Sequence, residues 1–104
     1  MNFHLKDFIH YLTVEKGLAE NTIVSYERDL KTYLSFLEQN QNIHKLNDVE
    51  RVDIVQFLNS LRAEGKSAKT VARHIASIRA FHQFLLRDKV MDHDPSVLLD
   101  PPKM

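Results

Sequence analysis

Gly17-Leu18-Ala19-Glu20-Asn21-Thr22-Ile23 returns later in the chain as Gly65-Lys66-Ser67-Ala68-Lys69-Thr70-Val71, and these two phrases hold the only two glycines of the sequence. Each phrase leads into a long amphipathic stretch. A glycine just past the last periodic residue is a left-handed stop for the helix before it. A Thr followed by a β-branched apolar residue opens the next helix within a few positions. The repeat therefore predicts two helical hairpins in tandem.

Working outward, Leu5, Phe8, Ile9 and Leu12 recur at helical spacing and predict a first helix from about Phe3 to Lys16. Ile23, Tyr26, Leu30, Tyr33, Leu34 and Leu37 predict a second from about Glu20 to Gln39. The stretch from Asn40 to Asp48 is polar and breaks the pattern. Ile54, Phe57, Leu58 and Leu61 predict a third helix from about Arg51 to Glu64. Val71, Ile75, Ile78, His82 and Leu85 predict a fourth from about Ala68 to Arg87, with Ser67 as its N-cap. No segment alternates with period two, so the expected fold is all-α. Asp94-Pro95 is a cap followed by proline at a first helical position, which predicts one short turn over Ser96 to Leu99. Pro101-Pro102 then forces an extended chain. The expected organisation is a domain over residues 1–99, with residues 100–104 beginning a linker to something further.

Composition sets the class. With 104 residues, 43% hydrophobic and 27% charged, the chain can bury one modest core. It has no cysteine, so neither disulfides nor thiolate metal sites can support the fold. No run approaches the roughly 18 apolar residues of a membrane span, and the amino terminus is amphipathic rather than a basic stub before an apolar block. The expectation is a soluble cytoplasmic protein without a signal peptide.

The net charge of zero hides a gradient. From Arg62 to Lys89 there are seven basic residues against two acidic, whereas the residues before Arg62 carry six against nine. Phosphate responds to local field rather than to total charge. At about 100° per residue, the side of helix four opposite Ile75 and Ile78 carries Lys69, Arg73, Ala76 and Ala80. Such a face lets a helix approach a polyanion closely, with its N-terminus adding partial positive charge. Lying opposite the apolar stripe, Lys69 and Arg73 are expected to be replaceable without loss of fold. Helix two presents Asn21, Ser25, Arg28, Thr32 and Ser35 outward, mostly short groups suited to phosphates and base edges. An ordinary solvated helix face is the competing reading.

Other chemistry finds little support. No two of the six histidines lie three or four apart, and no metal triad or cofactor loop is evident. His82 falls on the apolar stripe and reads as a hydrogen-bonded core residue. His74 lies beside it, at the core edge or at a DNA contact. Tyr26 and Tyr33 share the stripe of helix two, Tyr11 lies off that of helix one, and none is expected to have an activating base beside it. Phe84 is expected to point away from the stripe and to pack under the tail or against another subunit. No catalytic site is expected.

Phe8-Ile9-x-Tyr11-Leu12, Glu15-Lys16-Gly17-Leu18-Ala19-Glu20-Asn21-Thr22-Ile23-x-x-Tyr26-x-x-Asp29-Leu30, Ser67-x-x-Thr70-x-x-Arg73-x-Ile75-x-x-Ile78-Arg79-x-Phe81-x-x-Phe84-Leu85, Asp94-Pro95 and Pro101-Pro102-Lys103 together resemble the amino-terminal core-binding domain of tyrosine recombinases, and most closely the bacterial XerD branch. Ala19 stands where a capping Ser is common in that family, which weakens the start of helix two. The resemblance implies a SAM-like bundle forming half of a clamp on duplex DNA, with helices two and four across the major groove. It implies that a catalytic domain follows the chain, and that the whole protein exchanges DNA strands in chromosome dimer resolution beside a XerC-like partner and a DNA translocase. Phosphate contact then falls to Lys66, Lys69, Arg73 and Arg79, and groove or backbone hydrogen bonding to Asn21, Thr22, Ser25, Arg28 and Ser77. Thr70 and His74 complete the candidate set. A XerC-like or phage-type integrase, or a helical protein-interaction module without DNA binding, is the alternative.

Overall fold

The computed structural model describes residues 1–99. Four helices account for most of them: α1 Asn2–Val14, α2 Glu20–Asn40, α3 Arg51–Ala63 and α4 Ala68–Arg87. Helices α2 and α4 each pack against all of the others, whereas α1 and α3 do not meet. This is an all-α domain of two hairpins around a central α2/α4 pair.

The glycines act as the repeat implies. Gly17 has φ +59° and Gly65 φ +83°, and the Lys66 N–H reaches back to the Leu61 carbonyl at 3.1 Å to close the end of α3. Neither glycine has atoms crowding the place of a Cβ, so backbone angle alone selects them. The other two helices end the same way without glycine. Asn42 after α2 has φ +55°, and Lys89 after α4 has φ +61°. At α4 the Ser67 hydroxyl accepts from the Thr70 N–H at 3.2 Å, while Ala19 leaves the start of α2 without a side-chain cap.

One core holds the elements together. Leu5, Phe8 and Leu12 of α1 join Leu30, Tyr33, Leu34 and Leu37 of α2, Ile54, Phe57, Leu58 and Leu61 of α3, and Val71, Ile75, Ile78, Phe81 and Leu85 of α4. The segment after α2, polar and without helical spacing, still contributes to the core: Ile43 and Leu46, and Val49 just beyond them, are buried, with a 3-10 turn over Leu46–Asp48. Three spaced apolar residues do this without helical periodicity. Phe84, expected to point away from the stripe, does not stand free. It is buried against α1, with ring centroids 5.4 Å from Phe8 and 5.0 Å from Tyr11, and the Arg87 guanidinium lies 5.5 Å from its ring. The α1 interface widens the buried face of α4 beyond the main stripe.

The segment after α4 belongs to the domain. Met91, Pro95, Ser96 and Leu99 are buried, and Asp94 Oδ1 accepts from the Ser96 N–H at 2.9 Å where the short turn is expected. The Asn47 side chain accepts from the Asp92 N–H at 3.0 Å and ties this segment to the 3-10 turn. The proposed linker at residues 100–104, with its two prolines, lies outside the described residues.

Two histidines respond to pH in opposite senses. Tyr33 Oη donates to His82 Nε2 at 2.8 Å, and His82 Nδ1 faces the Met91 sulfur at 3.2 Å. Burial pushes the His82 imidazole from its ordinary 6.5 down to about 4, and pushes the Tyr33 phenol well up. Below pH 6.5 the unfolded chain takes up a proton that buried His82 refuses. Its stabilisation is therefore complete above that value and is lost as pH falls toward about 4. His93 donates from Nδ1 to Asp92 and from Nε2 to the Val49 carbonyl, each at 2.8 Å, so both ring nitrogens carry protons. The Asp92 bond first, then the Val49 bond, raises its pKa. This contribution is complete below the ordinary value and fades as pH rises through the raised one. Exposure of Asp92 keeps it small. The melting temperature should fall between about pH 7 and pH 4, and His82→Gln should flatten that fall. A melting temperature constant over this range, or an equally steep decline in the variant, would contradict the assignment.

Candidate nucleic-acid interface

The centre of the α2/α4 face is a carboxylate. Asp29 lies on α2 one residue before Leu30, only 3% exposed, and Arg73 from the second turn of α4 grips it with Nε–H to Oδ2 at 2.7 Å and Nη2–H to Oδ1 at 3.0 Å. His74 Nε2 stands 3.5 Å from the same carboxylate, and Arg28 Nε 4.0 Å. The Asp29 bond raises the pKa of Arg73. His74 is buried, and desolvation outweighs the pull of Asp29, so its pKa is lowered and the ring stays neutral at physiological pH.

Around this pair lies a cleft of about 390 Å³ lined by Arg28, Asp29, Thr32, Lys66, Thr70 and Arg73, with Leu61, Glu64 and His74 completing the wall. Three cations and the Thr70 hydroxyl thus border the buried Asp29 carboxylate and the exposed Glu64 carboxylate beside the amino end of α4, while the Thr32 hydroxyl donates to the Arg28 carbonyl at 3.2 Å. Lys66 and Lys69 are exposed there, and neither takes part in a salt bridge among the described residues. Such an arrangement favours a phosphate oxygen, through charge and through donors at several angles.

The candidate residues divide. Asn21, Thr22, Arg28, Lys66 and Lys69 are exposed, and Ser25, Thr70 and Arg73 partly so. Three differ from expectation, and His74 takes the core-edge place of the two left open for it. Ser77 is fully buried and its hydroxyl donates to the His74 carbonyl at 3.0 Å, so it reaches no ligand. Arg79 is half-buried on another side of α4, with Nη1 3.5 Å from the Leu99 carbonyl, near the tail. Arg73 is no free surface cation, because Asp29 already holds two of its donors. Ala76 is exposed, but Ala80 packs against the core and lines a separate groove with Tyr11 and Phe84. Asp29 itself was the residue without an assigned role. Its signal was a lone carboxylate on the apolar stripe of helix two, a position that requires a buried partner.

Tyr33 also departs from expectation, since His82 is a base beside it. Both are fully buried, the phenol is pushed up and the imidazole down, and no substrate reaches the pair. The contact is structural.

Residues 5–89 match the family described as phage integrase, N-terminal SAM-like domain. The chain belongs to this family. Among similar proteins, the SAM-like domain is 47% identical to a tyrosine recombinase XerD of Listeria monocytogenes over 103 residues. It is 42% identical to one of Oceanobacillus iheyensis and 44% to one of Halalkalibacterium halodurans over the same length. Each alignment covers 99% of this chain, which spans about a third of the length of these relatives. Among the described residues, no helix of the SAM-like domain is long and apolar enough to cross a membrane.

Proposed function

We propose that the chain is the DNA-binding amino-terminal domain of a XerD-like tyrosine recombinase, lying against duplex DNA through the α2/α4 face. The observation that carries this reading is the cationic cleft of Arg28, Lys66 and Arg73 beside the amino end of α4, in a domain whose relatives are tyrosine recombinases. Lys66 and Lys69 meet backbone phosphates, and Arg28 and Arg73 take a phosphate at the cleft. Asn21, Thr22, Ser25 and Thr70 supply hydrogen bonds to backbone or groove. The domain has no catalytic role of its own. Strand exchange belongs to a catalytic domain following residue 104, in a cytoplasmic protein that works with a XerC-like partner and a DNA translocase in chromosome dimer resolution.

The test is fluorescence anisotropy against salt concentration with duplex DNA, in the full-length protein if the chain alone binds weakly. Changing Lys66 and Lys69 together to Ala should weaken binding to every duplex and lower the salt slope by about 2, if each neutralises one phosphate. Arg73 is left out because Asp29 already balances its charge. Unchanged affinity and slope in a folded variant would remove the end of α4 from the interface and favour a protein-interaction role.

A further inference from the structure

A buried ion pair is a poor device for stability alone, since well-packed apolar residues of similar volume commonly serve as well or better. Yet Asp29 sits 3% exposed on the wall of the cationic cleft, against an arginine that is 38% exposed. The geometry of the pair explains the choice. Asp29 engages the Nε and Nη2 edge of Arg73 at 2.7 and 3.0 Å, which leaves three of the five guanidinium N–H groups without a partner among the described residues and fixes the plane that carries them. Lys66 and Arg28 border the same cleft, and the hydroxyls of Thr32 and Thr70 stand on its wall.

We propose that Asp29 is a positioning residue, holding Arg73 so that its free N–H groups meet one backbone phosphate in the cleft at fixed geometry and thereby set the register of the domain on DNA. The proposal rests on the DNA-binding reading above. A freely rotating arginine must be ordered when the ligand binds, whereas one already clamped has lost that freedom on folding. Phosphate contacts made at fixed angles set where a protein sits on the duplex, while exposed lysines adapt to any register. Lys69 belongs to the second kind. Arg73, held by Asp29, belongs to the first.

The charge of Asp29 opposes this role. Removing it makes the cleft more positive, which on charge alone tightens binding to all duplexes alike. The decisive quantity is therefore the ratio of affinities for two duplexes, in which a sequence-independent charge effect cancels.

The experiment uses full-length protein, a duplex enriched by that protein from a random-sequence pool, and a mixed-sequence duplex of equal length, at a temperature where circular dichroism shows each variant folded. Asp29→Asn keeps the shape and loses the carboxylate. Arg73→Lys keeps the charge and loses the fork, and serves where Asp29→Asn does not fold. Each should lower the affinity ratio by about tenfold, whereas Lys69→Ala should weaken binding to both duplexes and leave the ratio unchanged. If the ratio is unchanged in Asp29→Asn and Arg73→Lys while Lys69→Ala still weakens both duplexes, the positioning role is wrong and the interface stands. If Lys69→Ala affects neither duplex, the interface itself is wrong and the proposal falls with it.

Discussion

Replacing Arg73 with Ala is expected to cost about 3 to 5 kcal/mol of folding stability, because it leaves a buried carboxylate without its partner. Asp29 is 3% exposed and loses contacts of 2.7 and 3.0 Å. What remains is Arg28 Nε at 4.0 Å and the His74 ring nitrogen at 3.5 Å, and His74 is kept neutral by burial. Protonation of His74 beside the unpaired carboxylate would recover part of the loss, which places the outcome toward the lower end of that range. This reverses the expectation that Lys69 and Arg73 are alike. Lys69→Ala touches only solvent and should change stability by no more than about 0.5 kcal/mol. Urea unfolding of the two variants decides. An Arg73→Ala loss no larger than that of Lys69→Ala would mean that the pair does not hold the α2/α4 face together.

Ile78→Ala should cost about 2 to 5 kcal/mol, from lost transfer free energy and the cavity left behind. Ile78 is fully buried at the centre of α4, in the same cluster as Phe81 and Leu85 of its own helix and Tyr33 of α2. Against a total of about 5 to 15 kcal/mol for a domain of this kind, that is a large fraction. A loss below about 1 kcal/mol in urea unfolding would put α4 in the wrong rotational phase. The two substitutions separate the two ways in which α4 is held, by apolar burial along one side and by a single ion pair at its amino end.

Much of the fold was legible because glycine and apolar spacing report backbone directly. Gly17 and Gly65 marked two helix ends through their positive φ, while Asn42 and Lys89 adopt the same conformation with side chains that do not announce it. The burial of Ile43, Leu46 and Val49 was hidden because a segment that covers a core without regular structure has no period to detect. Phe84 was misplaced for a related reason. A single stripe describes a helix with one neighbour, whereas α4 meets α1, α2 and α3. The interface was legible as charge and not as geometry. Arg73, His74, Ser77 and Arg79 are polar residues on or beside an outward arc of α4, and only the packed structure reveals that Asp29 occupies the first, the core takes the next two, and the tail borders the fourth.

The most direct test of the DNA-binding face is an amide-resolved NMR titration of the ¹⁵N-labelled chain with duplex DNA. Shift changes are expected to gather at Arg28, Lys66 and Thr70, which line the cleft, and at exposed Asn21, Thr22 and Lys69, and to weaken together as salt is raised. Changes gathered instead around exposed His10 and Val14 of α1 or around Val97 and Leu98, with the α2/α4 face silent, would contradict it.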